Sequence, residues 1–360
     1  MYIRLLICGA LFIAAVPATA ADKPFTQDRA RAIIGNLQKI VTPNGIDAKI
    51  AVPVNGTKQW ITVRGRDRNN PILLFIHGGP AAPEMPTSWT FQNPWEDYFT
   101  VVQWDQRGSG RSYNQNDPKS VGPTITLPQM VSDSEVMVRY LRKTYRKPKI
   151  FVLGHSWGSL LGLTLAEKHP EWLYAYVGVG QMIDSLESER LGYLATLKAA
   201  EDAHDETAIK ELRAIAPYPG KSLELDKINT ERKWSVHFGG LSWRRDSYAY
   251  YYNASELSPD YAAADLAAID KGSELSLPRL LPDFGSVNFD AVTDFKCPIV
   301  IFAGRHDDTT SSVVVAKWFE RVRAPAKKLV WFEDSAHMIQ IEEPGRMLVH
   351  LVEDVRPLAN

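Results

Sequence analysis

The chain has 360 residues, of which 45% are hydrophobic and 23% are charged, as in an ordinary globular protein. Its 41 basic and 42 acidic residues leave a formal net charge of −1 at pH 7, so the composition gives no sign of a nucleic-acid-binding surface or of a patch for anionic membranes. This length allows one large domain, or one domain that carries an insertion.

The first twenty residues have the pattern of a secretory signal peptide. An apolar run over residues 5–16 follows one arginine, and residues 18–20 form an A-x-A cleavage pattern. Twelve apolar residues are too few to span a bilayer as a helix. We therefore expect cleavage after Ala20 and a secreted or periplasmic protein without a membrane anchor. Cys8 leaves with this segment, and Cys297 is expected to be a buried small residue.

Beyond this segment, the apolar pattern predicts alternating strands and helices. Two segments of alternating polarity, residues 48–54 and 59–63, predict an antiparallel pair. Continuous apolar runs predict strands that are covered on both faces, as in a parallel sheet. These runs are residues 72–76, 99–104, 150–153, 174–179, 299–302 and 329–332, and helical patterns cover residues 26–42, 127–145, 311–322 and 342–355. The sequence therefore predicts an α/β fold with a mostly parallel, eight-stranded sheet.

The alternation stops between residues 183 and 293, where the pattern is mainly helical and rich in aromatic residues. We interpret this segment as a lid inserted after the sixth strand, with the core formed by residues 21–182 and 294–360. Open α/β sheets bind ligands at the carboxyl ends of their strands, which this lid would cover. Trp234, Trp243 and Tyr251 are candidates for lining the cleft, although aromatic residues can equally fill the core of the lid itself.

The segment Gly154-His155-Ser156-Trp157-Gly158 lies between a predicted strand and a predicted helix. A Gly-x-Ser-x-Gly pattern in this setting predicts a nucleophile elbow, in which the serine occupies a sharp strand-to-helix turn. Ser156 is therefore the candidate nucleophile.

A serine hydroxyl needs a histidine to take its proton and a carboxylate to orient that histidine. In elbow hydrolases the acid and then the histidine follow the serine along the chain. His337, on a loop after the eighth strand, is the candidate base. Two aspartates follow the seventh strand. Asp307 is favoured by its spacing from Gly304, whereas Asp308 could form an N-cap or a loop hydrogen bond.

Two backbone N–H groups are expected to stabilise the oxyanion of the tetrahedral intermediate. One belongs to Trp157, directly after the nucleophile, and the other to Gly79 in the glycine loop after the third strand. We expect His77 to brace this loop. The glycine-containing segment after the fourth strand lacks the G-K-[ST] of a phosphate loop, so it is expected to be a structural turn held by Asp105 and Arg107.

Together, these motifs resemble the prolyl-iminopeptidase branch of the α/β-hydrolase superfamily. The segments that carry the resemblance are His77-Gly78-Gly79-Pro80, Asp105-Gln106-Arg107-Gly108-Ser109-Gly110-Arg111-Ser112, Gly154-His155-Ser156-Trp157-Gly158, Gly304-Arg305-His306-Asp307 and the His337 loop. The resemblance covers residues 45–180 and 295–357. It implies a triad of Ser156, Asp307 and His337, with Gly79 and Trp157 forming the oxyanion hole.

The chain departs from that branch at three places. Ala81 and Ala82 follow His-Gly-Gly-Pro where relatives commonly continue with glycine, and His155 replaces the usual glycine before the nucleophile. The lid also lacks the Trp-Glu pair that often supplies the family's amine-binding glutamate. Glu187 and Glu189 could bind the amine, although an exposed helical face explains them equally well.

These observations support three hypotheses. The first is a secreted serine hydrolase of prolyl-iminopeptidase type that forms an acyl-enzyme with a small amide or a short peptide. The alternative is a carboxylesterase or lactonase for small apolar esters. The third is a catalytically silent binding protein, which would lack a triad or oxyanion element. The cysteines and histidines show no metal-ligand spacing, so no metal or organic cofactor is expected.

Overall fold

The computed structural model of the protein describes residues 24–359. The predicted signal peptide, its cleavage position and Cys8 lie outside the described residues. Within residues 24–359, no helix is both long and apolar enough to cross a bilayer.

One eight-stranded sheet forms the centre of the molecule. Its strands are β1 (Ile46–Val54), β2 (Thr57–Gly65), β3 (Ile72–Ile76), β4 (Thr100–Asp105), β5 (Ile150–His155), β6 (Leu173–Val179), β7 (Ile299–Gly304) and β8 (Lys327–Phe332). The order across the sheet is β1-β2-β4-β3-β5-β6-β7-β8. β2 is antiparallel to both β1 and β4, and the other neighbours are parallel. The predicted strands are confirmed, and their ends shift by no more than two residues.

Helices cover the sheet and build the insertion. They are α1 (Gln27–Leu37), α2 (Gly110–Asn114), α3 (Pro118–Val121), α4 (Leu127–Thr144), α5 (Trp157–Lys168), α6 (Ser185–Asp202), α7 (Glu206–Ala214), α8 (Leu225–His237), α9 (Ala249–Ser255), α10 (Ala263–Phe284), α11 (Ser312–Arg321), α12 (Ile339–Glu342) and α13 (Pro344–His350). Five of them, α6 to α10, lie between β6 and β7. The mainly helical insertion after the sixth strand is therefore confirmed.

The continuous apolar runs correspond to strands buried on both faces of the sheet. Successive side chains of a strand point to opposite faces, so each run supplies two cores. In β3, Leu74 belongs to one core cluster and Leu73 to the other; in β5, Val152 and Phe151 divide in the same way. This two-sided burial explains why the runs show no polar alternation.

The insertion has a hydrophobic core of its own. Tyr193, Leu212 and Trp234 are among its buried residues, and they come from α6, α7 and α8. The last insertion helix, α10, instead approaches the loop after β4, since a Cβ on Gly272 would meet backbone of Gly108 and Ser109. The insertion therefore packs both on itself and on the sheet domain.

The C-terminal segment differs from the single helix predicted over residues 342–355. α12 ends at Glu342, and α13 begins at Pro344. Proline disfavours helical backbone in the residue before it, and Glu343 accordingly has φ −128° and ψ 55°. A π-type turn over Leu351–Val355 then follows. Helical backbone thus covers residues 344–355, and the predicted helix begins two residues later than expected, at this proline.

Candidate active site

Ser156 occupies the turn between β5 and α5. Its φ of 54° and ψ of −122° are strained for a residue with a side chain, as expected for a nucleophile elbow. Its N–H donates to Val179 O at 2.9 Å, which fixes the turn against β6. A Cβ on Gly78 would lie 3.0 Å from Ser156 Cβ, and one on Gly158 would overlap the carbonyl of Ile76. The glycines around the elbow therefore allow three segments to approach one another closely.

Asp307 and His337 meet at the carboxyl ends of β7 and β8. His337 Nδ1 lies 2.9 Å from Asp307 Oδ2, and both residues are buried. Asp307 Oδ1 accepts the N–H groups of Thr309 at 2.9 Å and Thr310 at 2.8 Å, and Thr310 Oγ1 donates to Oδ2 at 3.0 Å. These bonds fix the carboxylate in the loop and direct it at the ring.

Asp308 contacts the insertion instead. Its N–H donates to Gly240 O in the insertion, and the imidazole of His337 is not among its partners. Burial, together with the negative charges of Asp307 and Glu231, raises the pKa of Asp308 to about 7. Of the two adjacent aspartates, the structure therefore brings Asp307 to the histidine.

The backbone around His337 is held by a carboxylate that the sequence analysis missed. Glu342 Oε2 accepts the N–H groups of Ala336 at 3.0 Å and Met338 at 3.1 Å, one on either side of the histidine. Its Oε1 accepts the N–H of Trp243 from the insertion at 2.5 Å. Burial raises the pKa of Glu342 to about 7.

One proposed oxyanion-hole residue lines the cavity of the nucleophile, and the other follows the nucleophile in the chain. Gly79 lines the same cavity as Ser156 and has φ +109°, a conformation that favours glycine. Trp157 is the first residue of α5, so its N–H is one of those that a helix leaves without an internal acceptor. Its buried indole donates to Gln106 Oε1 at 3.1 Å.

His77 supports the glycine loop. Its Nδ1 lies 2.8 Å from Gly78 O, and its Nε2 lies 3.2 Å from the N–H of Gln106. Since a backbone N–H can only donate, Nε2 accepts and the proton resides on Nδ1. Burial lowers the pKa of His77 to about 4, in keeping with a neutral ring. Gln106 Nε2 in turn donates to His77 O at 2.8 Å.

The segment after β4 is a structural turn. Arg107 and Asp133 form a buried pair with Nε–Oδ2 at 2.7 Å and a second bond of 3.0 Å to Oδ1. Arg107 also donates to Thr124 Oγ1 and Asn55 O. Asp105 Oδ2 accepts the N–H of Arg111 at 2.8 Å. Both residues named from the sequence hold the turn, whereas Asp133 was not anticipated.

Ser156 opens into a cavity of about 250 Å³ between the sheet and the insertion. One wall is apolar and includes Met182, Leu277, Leu281 and Phe284. Another part of the wall is polar and comprises Ser185, Ser188 and Glu189 of α6 with Asn229 and Arg232 of α8.

Residues 71–344 match the family model of the alpha/beta hydrolase fold. A Bacillus subtilis (strain 168) protein described as a probable aminopeptidase is 30% identical over 81% of this chain and 91% of its own length. The chain belongs to the α/β-hydrolase family. The proline iminopeptidase of Neisseria gonorrhoeae is 39% identical to this hydrolase, over 28% of this chain and 29% of that one. A proline iminopeptidase-related protein from Thermus thermophilus shares the fold, with a TM-score of 0.61 at 17% identity over 88% of this chain and 98% of that one. The resemblance to prolyl iminopeptidases is thus shown, and the protein is an α/β hydrolase similar to aminopeptidases.

The two glutamates of the lid that were candidates for binding substrate in this hydrolase lie in different surroundings. Glu189 lines the cavity, whereas Glu187 forms an ion pair with Arg190 on the exposed side of α6. The two glutamates are two residues apart and therefore face different sides of the helix.

The three aromatic candidates lie outside the cavity lining. Trp234 is buried in the insertion core and donates to Glu211 Oε2 at 2.8 Å. Trp243 stacks on His306 with ring centroids 3.3 Å apart. Tyr251 donates to Glu84 Oε2 at 2.6 Å. The expectation that these rings line the pocket is corrected: each contacts other protein groups, and the aromatic ring in the cavity wall is that of Phe284.

Sequence reasoning also missed Arg232. Its guanidinium group donates to the carboxylates of both Glu189 and Glu231, and Glu189 accepts a further hydrogen bond from Tyr218. Burial raises the pKa of Glu231. Adjacent Glu231 and Arg232 within a helix usually indicate a solvated face, but Glu231 is buried and Arg232 lines the cavity.

Proposed function

We propose that this hydrolase cleaves the N-terminal residue from short peptides or amides through an acyl-enzyme on Ser156. Ser156 Oγ attacks the carbonyl carbon, and its proton passes to His337 Nε2. Because Nδ1 faces Asp307, Nε2 is the nitrogen left for the serine. His337 then protonates the leaving amine, and water hydrolyses the ester.

The N–H groups of Gly79 and Trp157 would stabilise the oxyanion of both tetrahedral intermediates. Gly79 lines the same cavity as Ser156, and Trp157 follows Ser156 in the chain. Backbone donors that are fixed before reaction lose no reorganisation energy as the negative charge develops. Removing one such donor costs about 10²–10³ in kcat in related chemistry.

The observation that carries the aminopeptidase proposal is Glu189, whose carboxylate shares a cavity with the nucleophile. A carboxylate has about four lone-pair sites, and Tyr218 and Arg232 occupy one on each oxygen. Glu189 therefore keeps acceptor capacity for a substrate ammonium group. Together with Glu231 and Arg232 it forms a cluster of formal charge −1, which an ammonium group would neutralise.

Two serines on the same wall support this assignment. The Oγ atoms of Ser185 and Ser188 are buried and have no hydrogen-bond partner among residues 24–359. An unpaired buried hydroxyl is costly, and a polar substrate group in the cavity would remove that cost. Both hydroxyls lie at the start of α6, beside Glu189.

The size and the apolar wall of the cavity suit a single residue. About 250 Å³ is below the usual 300–1,000 Å³ of pockets for larger ligands. Leu277, Leu281 and Phe284 would contact the side chain, while the polar wall binds the amine. The names of the relatives, which include aminopeptidases and proline iminopeptidases, support the same substrate class.

The same apolar wall also favours a second candidate, the hydrolysis of small apolar esters or lactones. The two are separated by comparing aminoacyl 4-nitroanilides, their N-acetylated counterparts and 4-nitrophenyl esters of increasing chain length, with Ser156→Ala as the control. The aminopeptidase proposal requires turnover of anilides that carry a free amine and loss of turnover on acetylation. If only amine-free esters are turned over, the esterase proposal would replace the aminopeptidase proposal. Undiminished activity of Ser156→Ala would refute the mechanism for both.

A further inference from the structure

A second buried histidine lies directly before the nucleophile. His155 Nδ1 is 2.9 Å from Glu84 Oε1, and His155 Nε2 is 3.1 Å from the carbonyl oxygen of His337. The rings of His155 and His337 are 4.9 Å apart. Glu84 also accepts hydrogen bonds from Tyr251 Oη at 2.6 Å and Gln340 Nε2 at 3.2 Å. His155, Glu84 and Tyr251 therefore form a continuous chain of contacts from the insertion to the candidate base.

The two contacts of His155 define its charge. A carbonyl oxygen and a carboxylate can only accept, so both ring nitrogens must donate and the ring is an imidazolium. Burial alone would lower the pKa of His155, but the hydrogen bond and charge of Glu84 raise it overall. Burial likewise would raise the pKa of Glu84, and the His155 contact lowers it overall. A buried ion pair thus adjoins the elbow.

This pair adds a contact to the backbone of His337. Its ring bonds to Asp307, its carbonyl oxygen accepts from His155, and its N–H donates to Leu241 O in the insertion at 3.1 Å. Glu84 lies five residues beyond Gly79, in the segment after the glycine loop, and Tyr251 lies on α9 of the insertion. The nucleophile elbow, the segment after the glycine loop, the base loop and the insertion are consequently joined through one carboxylate.

We propose that His155, Glu84 and Tyr251 are positioning residues. Through their contacts with the packed insertion, they hold His337 at the correct distance from Ser156. None of the three lines the cavity that contains Ser156, so they act through the backbone of His337 rather than on substrate. A displacement of about 1 Å at a reacting group can cost about a hundredfold in rate. This inference rests on the proposed roles of Ser156 and His337.

A fluorophosphonate probe tests it without knowledge of the natural substrate. Ser156 Oγ attacks phosphorus, fluoride leaves, and the serine proton passes to His337, so the limiting rate of labelling, kinact, reports the base while KI reports binding. We expect kinact to fall about a hundredfold in Glu84→Gln and about tenfold in Tyr251→Phe, with KI unchanged. Tyr252→Phe, which alters the exposed neighbour of Tyr251, is expected to label like the unaltered protein.

Asp133→Asn serves as a stability control, because it breaks a buried pair that contacts no residue of the triad. If reduced labelling reflected lower stability alone, this variant would label as slowly as Glu84→Gln. Unchanged kinact in a folded Tyr251→Phe would overturn the inference, as would a rise in KI alone. Tyr251→Phe loses only a hydroxyl, so its kinact decides whether the inference holds if Glu84→Gln does not fold. Labelling of Ser156→Ala at the normal rate would instead refute the proposed function.

Discussion

The pair Glu187 and Glu189 provides the sharpest test of the proposal that the hydrolase recognises a substrate amine. Both glutamates lie on α6, two residues apart, and both were candidates from the sequence. Only Glu189 lines the cavity that contains Ser156, whereas Glu187 pairs with Arg190 at the surface. Substitution of each by glutamine keeps the shape of the side chain and removes its charge. Glu187→Gln is thus a matched control on the same helix.

The expected magnitude follows from the lost interaction. A hydrogen bond to a charged group contributes about 1.5–3 kcal/mol. With about 1.4 kcal/mol per factor of ten, Glu189→Gln should lower kcat/KM for an aminoacyl 4-nitroanilide by about 10- to 150-fold. Glu187→Gln should lower it by less than about twofold, since an exposed pair between neighbouring helical turns contributes only a few tenths of a kcal/mol.

The assay compares kcat/KM for an aminoacyl 4-nitroanilide with that for an amine-free 4-nitrophenyl ester of similar acyl size. Recognition of the ammonium group by Glu189 requires that the anilide reaction slows while the ester reaction changes little. Equal losses for both substrates in Glu189→Gln would mean that Glu189 supports the cavity wall rather than the amine. Equal effects of the two substitutions on the anilide would refute the structural distinction between the glutamates.

Three further predictions concern stability, pH and processing. Asp133→Asn should lower the free energy of unfolding by about 3–5 kcal/mol in urea titrations, because Arg107 is left buried without its partner; a loss below about 1 kcal/mol would contradict the role of this pair. The pKa of Asp308 is raised to about 7, so the folded state binds this proton more tightly than the unfolded chain does. The contribution of Asp308 to stability is therefore full at low pH and is lost as pH rises from about 4 to about 7. Asp308→Asn should therefore reduce the fall in Tm between about pH 5 and about pH 8, and an unchanged fall would count against that shift. Mass spectrometry of the protein exported by a bacterial host should find Ala21 as the first residue, and an uncleaved chain would contradict the predicted signal peptide.

The sheet and the elbow were predictable because their signals are local and contiguous. The run before Gly154 is apolar at every position since both faces of β5 are covered. Two glycines, one on either side, mark the turn at Ser156 in the sequence. They are required because neighbouring backbone approaches too closely to leave room for a Cβ. The helix predicted over residues 342–355 begins two residues late, at Pro344, and the helix predicted over residues 26–42 ends early, at Leu37.

The insertion was predictable as an element, but its contacts were not. Helical spacing identifies α6 and α8, yet it does not determine how each helix is rotated about its axis. That rotation decides that Glu189 lines the cavity, that Glu187 faces solvent, and that Trp234 fills the insertion core. The aromatic residues stood out by composition alone, and composition does not distinguish a pocket wall from a core.

The fold class, the strand-to-helix turn at Ser156 and the chain order of the candidate serine, acid and histidine could all be predicted from local patterns in the chain. Only the tertiary structure chose between Asp307 and Asp308, since adjacent side chains in a loop point in directions that backbone geometry sets. Only the tertiary structure joined Glu84, His155 and Tyr251, because 167 residues separate the first from the last and no pattern in the chain links them. The candidate reacting groups follow contiguous strands and glycines, whereas the groups proposed to orient them and to select the substrate depend on packing between distant segments.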